Sequence, residues 1–108
     1  MRSLQRKLET KSIAFAGELS KIMSNYVALK KMPQPQIGSL IRQLREEMQL
    51  TQEEFASDCG VVFSTVNRWE KGRVRPSPMA LRLIQVKLEQ IGDRGKELLQ
   101  RYQNNFPN

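Results

Sequence analysis

The sequence predicts an all-α protein, and three observations carry that expectation. Apolar residues recur at helical spacings of three and four along most of the chain. Helix starts and stops stand where that periodicity needs them: Thr51 and Ser77 as N-caps, Gly60 and Gly72 as closing glycines, Pro33 and Pro35 as breakers. No strand signal runs longer than "GVVF".

The elements follow in order. From Met1 to about Lys31, Leu8, Phe15, Leu19, Ile22, Tyr26 and Leu29 form a helical stripe that also fits a short heptad seam. "KKMPQPQ" ends it, since Pro33 and Pro35 cannot continue a helix, and the segment reads as a linker that favours projection over tight packing. The next helix is expected from about Gly38 to Gln49, with Ile37, Leu40, Ile41, Leu44 and Met48 on one face. Thr51 with Glu54 makes a capping box for a helix that stops at Gly60. Ser64 is expected to open another, closed by Gly72. Ser77 then caps a helix with Pro78 at its first position, its apolar residues being Met79, Leu81, Leu83, Ile84, Val86, Leu88 and Ile91. After "GDRG", Lys96 to Tyr102 has room for a couple of turns, and "QNNFPN" reads as frayed. The chain therefore divides into an N-terminal helix and linker (1–36; a candidate dimerisation arm), a dense central domain (37–91) and a short C-terminal helix and tail (92–108).

Composition bounds the function. At 108 residues the chain has room for one domain. Its 18 Lys+Arg against 11 Asp+Glu leave a net charge of +7, which favours a polyanionic partner. With no histidine and one cysteine, Cys59, the usual zinc sets and the Ser-His and Cys-His nucleophilic machineries have no residues. The clustered carboxylates Glu46, Glu47, Glu53 and Glu54 read as surface and capping groups. No metal, no cofactor and no enzymatic activity are expected. A lone cysteine suits a reducing compartment, and no apolar run is long enough for a membrane span or a signal-peptide core. The chain reads as cytoplasmic.

The charge is unevenly placed. Between Ile37 and Pro78 the acids and bases balance, yet Arg68, Lys71, Arg73 and Arg75 gather at the end with only Glu70 among them. A neutral domain with one basic edge suggests a surface. Two short helices joined through Gly60 make a helix-turn-helix, since glycine accepts positive φ without strain. Phe55, Cys59, Val61, Val66 and Trp69 fall on inward positions. Trp69 reads as core rather than a stacking platform, and Cys59 as a small core residue.

Here the residues carry a resemblance. "LTQEEFA" followed by "CGVVFSTVNRWEKGRVRPS" resembles the Xre-type helix-turn-helix domain of phage repressors and Cro. The small Ala56, the turn Gly60 and the closing Trp69-Glu70-Lys71-Gly72 sit at the family's spacing. The likeness runs from about Ile37 to Ile84. It implies a phage-repressor-like domain, with an extra N-terminal helix, whose helix 64–71 enters the DNA major groove.

The resemblance also implies roles. Phe63, Ser64, Asn67 and Arg68 match base-facing positions, and Arg68 is the best candidate for bidentate readout of guanine. Phe63 departs from the polar residue often found there; contact with a thymine methyl and simple packing are its two readings. Gln52 matches a phosphate-facing position at a helix start. Thr65, Lys71, Arg73 and Arg75 are the other phosphate-facing residues. Arg45 and Glu70 match positions of a partly buried ion pair.

Three functions follow in order of preference. The first is a sequence-specific double-stranded DNA-binding transcriptional regulator, most simply a repressor acting as a homodimer. The second is an antitoxin that binds its own operator and clamps a toxin protein. The third is a protein-interaction adaptor that kept the fold, which the basic edge argues against.

Overall fold

A computed structural model describes residues 23–104. Six helices lie in this stretch: α1 (23–31), α2 (Gln36–Glu47), α3 (Gln52–Cys59), α4 (Phe63–Glu70), α5 (Pro78–Gln90) and α6 (Asp93–Asn104). The described residues hold no strand, so the all-α expectation stands.

Each boundary has a local cause. In α2, Ile37, Leu40, Ile41 and Leu44 are buried at helical spacing. The expected start at Gly38 moves back to Gln36, and the end moves from Gln49 to Glu47, because Gln49 takes a positive φ of 60° and turns the chain. The capping box of α3 is present. The Glu54 N–H donates to Thr51 Oγ1 at 3.1 Å, and the Thr51 N–H donates to Glu54 Oε1 at 3.0 Å. Gly60 ends the helix at φ 68°. The Val61 N–H then reaches back to the Ala56 carbonyl at 3.0 Å. α5 starts as expected, with Ser77 accepting from the Ala80 N–H and Pro78 in the first turn.

α2 is central: it packs against α4 and α6, while α3 packs on α4 and α5 on α6. One core runs through all six helices, with Leu29, Ile37, Leu44, Phe55, Val66, Ile84 and Leu98 deep within it.

Three expectations change. Ser64 does not open α4; the helix starts at Phe63 with Val62 as N-cap and no side-chain capping bond. The apolar residues of α5, whose facing the sequence left open, lie on two sides of the helix. Leu81, Ile84 and Leu88 are buried, whereas Met79 is 74% exposed and Leu83 and Val86 also face out. A single helix face holds only positions three and four apart, and these three lie on the other side. α6 begins at Asp93, not Lys96, and continues to Asn104, because Leu98 and Leu99 bury themselves in the core. Finally, residues 29–35 pack on the domain instead of projecting from it. Leu29 and Met32 are core residues, and Pro33 and Pro35 turn the chain directly into α2. Of the N-terminal stripe, Tyr26 and Leu29 are described; Leu8, Phe15, Leu19 and Ile22 lie outside the described residues, as do the last four residues of the tail.

Candidate nucleic-acid interface

α4 has two chemically distinct sides. Val66 and Trp69, three apart, are buried against the core. Phe63, Ser64, Asn67, Arg68 and Lys71, at offsets of one, four, five and eight, share the opposite side. Phe63, Ser64, Arg68 and Lys71 are exposed, while Thr65 and Asn67 are half-buried. The turn after α4 exposes Arg73 and Arg75. Arg68, Lys71 and Arg73 thus form an exposed basic edge on α4 and the turn after it, and Gln52 at the start of α3 is joined to α4 through Asn67.

That edge is electropositive for a specific reason. Glu70, the acid among the bases, is turned inward and taken up by Arg45. Arg45 Nε donates to Glu70 Oε2 at 2.7 Å and Nη2 donates to Oε1 at 3.1 Å. The pair is bidentate and largely out of solvent, with side-chain exposures of 14% and 5%. The Glu70 hydrogen bonds raise the Arg45 guanidinium above its ordinary value against the opposing pull of burial, so it stays charged. Arg45 Nη1 also donates to the Leu50 carbonyl, which ties the α2–α3 turn to the end of α4. Among the described residues, Arg68, Lys71 and Arg73 make no ion pair.

Three candidate side chains have partners within the protein. Gln52 Nε2 donates to Glu70 Oε1 at 3.0 Å, and Asn67 Nδ2 donates to Gln52 Oε1 at 3.2 Å. Arg45, Glu70, Gln52 and Asn67 therefore form one chain of hydrogen bonds joining α2, α4 and α3. Arg75 is likewise engaged: its guanidinium donates to the carbonyls of Lys30 and Met32 at the end of α1.

Sequence reasoning missed Gln34. Its amide group donates to the Trp69 carbonyl at 3.1 Å and the Val74 carbonyl at 2.7 Å. Its Oε1 accepts from the Gly38 N–H at 2.9 Å. The residue stands in a proline-flanked stretch with no periodicity, 35 positions from Trp69, so no local signal marks it.

Other chemistries find little support. Cys59 is buried, and desolvation pushes its thiol above the ordinary value. It is a packed, protonated group at neutral pH. Among the described residues no cluster of three His, Cys, Asp or Glu is placed to hold a metal, and no helix is long and apolar enough to cross a membrane.

Comparison with known proteins adds one finding. Residues 41–89, from within α2 to near the end of α5, match the family model described as helix-turn-helix, so this segment is similar to helix-turn-helix domains. No curated protein and no solved structure gives a match.

Proposed function

We propose that this helix-turn-helix protein is a sequence-specific, double-stranded DNA-binding transcriptional regulator, most simply a repressor, with α4 in the major groove. The observation that carries this reading is the two-sided α4. Its inner side is locked by Trp69 and Val66, and its outer side presents polar and cationic groups, while Glu70, the acid among those bases in the sequence, is paired with Arg45. A fixed helix with hydrogen-bonding side chains on one side suits direct readout. Unpaired cations beside it suit the phosphate backbone.

In this reading Arg68, with Ser64, Asn67 and Phe63, faces base edges, and Lys71, Arg73 and Thr65 face phosphates. Gln52 orients Asn67 by the hydrogen bond between them. Arg68→Ala should then cost about 1–3 kcal/mol at one base position and relax the preference there. Arg73→Ala should weaken all sequences alike and lower the salt dependence by about one phosphate contact. A binding-site selection run on both variants decides it; uniform weakening by Arg68→Ala with an unchanged preferred site refutes the base-reading role.

Operator symmetry favours a homodimer, with half-sites about one helical turn apart. The exposed Met79, Leu83 and Val86 of α5 give it apolar surface to use. Sedimentation of the full chain tests this, and a monomer at concentrations that saturate a paired site rules it out. The antitoxin reading keeps the same DNA surface and adds a toxin protein; a small toxin-like reading frame beside the gene would favour it.

A further inference from the structure

We propose that Gln34, outside the helix-turn-helix proper, is a positioning residue for the grip on the DNA backbone; this rests on the DNA-binding reading above. The turn 71–77 carries Arg73, and its start is joined to α4 by the Gly72 N–H on the Trp69 carbonyl at 3.1 Å and the Arg73 N–H on the Arg68 carbonyl at 2.9 Å. Beyond Arg73 the chain leaves the helix, and that side needs an anchor if the cation is to meet a phosphate at a fixed place.

Gln34 is placed to supply that anchor. Its amide donates to the Val74 carbonyl, one residue beyond Arg73, and to the Trp69 carbonyl in the last turn of α4. The Trp69 carbonyl also accepts from the Gly72 N–H at 3.1 Å, so the Gln34 amide is its second donor. The Gln34 oxygen is held in turn by the Gly38 N–H, so both ends of the amide are used. The backbones are in close contact at this point: a Cβ at Gly38 would stand 2.1 Å from the Trp69 carbonyl oxygen.

A second tie runs parallel to the first. The Arg75 guanidinium, from the far end of the same turn, donates to the Lys30 and Met32 carbonyls. Met32 is itself in the core, 3% exposed. Residues 30–38 thus hold the turn from both sides of Arg73. The extra N-terminal part of the chain braces the loop that faces the phosphates, and Arg75 serves the brace rather than the DNA.

The test uses the full chain and two variants. Gln34→Glu keeps an oxygen for the Gly38 N–H but turns a carboxylate towards the two carbonyls that now receive N–H groups. Gln34→Ala loses all three bonds. Binding to a fixed duplex is measured across a salt series, at a temperature where circular dichroism shows each variant folded. Gln34→Glu is expected to weaken binding about equally for preferred and random duplexes and to lower the salt slope by about one unit, the share of one phosphate contact. In an Arg73→Ala background the same substitution should add little further loss, because both act through one contact. A purely structural role moves the unfolding midpoint and leaves the slope of the folded protein unchanged; that result overturns the proposal. Full additivity with Arg73→Ala also overturns it. Wild-type chain that shows no salt-dependent duplex binding sinks the DNA reading and this inference together, whereas wild-type binding with an unaltered Gln34→Glu sinks this inference alone.

Discussion

α3 and α4 are each eight residues long and sit side by side, yet they are held in different ways. α3 is held largely by its own sequence. Thr51 and Glu54 cap its start reciprocally, and Gly60 closes its end in the left-handed conformation. α4 has no side-chain cap at Val62. Gly72 closes its end at φ 75°, but its side-chain ties come from elsewhere in the chain: Asn67 to Gln52, Glu70 to Arg45 and Gln52, and the Trp69 carbonyl to Gln34. An isolated helix of this length is marginal in water, so the missing local support has to be supplied by tertiary contacts. The helix proposed to read DNA is therefore the one whose placement depends on the whole domain.

The largest expected effect comes from cutting away the N-terminal brace. Deleting residues 1–36 removes Leu29 and Met32 from the core together with Gln34. Each lost core side chain is worth about 2–5 kcal/mol by analogy with large-to-small substitutions. The truncated chain should unfold at much lower denaturant or not fold at all. If the shorter chain proves as stable as the full one, α4 needs no support from residues 29–35.

A smaller but sharper effect is expected at the ion pair. Glu70→Ala leaves the Arg45 guanidinium without its partner in a largely buried place, and also strips Gln52 of an acceptor. Breaking such a pair typically costs about 3–5 kcal/mol, more than the pair itself contributes. Thermal and urea unfolding measure it. A loss under about 1 kcal/mol, the range of an exposed pair, would show that α4 does not depend on this tie.

The smallest effect belongs to α3. Thr51→Ala removes one cap and should cost about 0.5–2 kcal/mol. Because the cap is local, it should add independently to Glu70→Ala in the double variant. Strong coupling between the two would erase the contrast between a self-supported α3 and a dependent α4.

The same contrast explains what was legible beforehand. The α3 boundaries and the start of α5 were readable because each cap pairs residues three apart. The start of α4 was misplaced by one residue because Ser64 looks like a cap and makes no capping bond. The Arg45–Glu70 pair was expected only through a family resemblance; charge pattern alone does not join residues 25 apart. Gln34 carried no signal at all. Met79, Leu83 and Val86 are apolar and exposed; hydrophobicity does not say which side of α5 is covered.

The sequence by itself determined the helical class, the turn at Gly60, the closing of α4 near Gly72 and the basic edge from Arg68 to Arg75. These follow from periodicity, from backbone conformations that few residues accept, and from charge, all of which act over a few neighbouring positions. Only the tertiary structure decided that residues 29–35 belong to the domain, that Glu70 is withdrawn from the basic edge, and that Gln34 spans from α2 to the turn after α4. Those outcomes depend on which buried polar groups find partners once the helices have packed, and a buried carbonyl or carboxylate takes whatever donor the fold brings within about 3 Å.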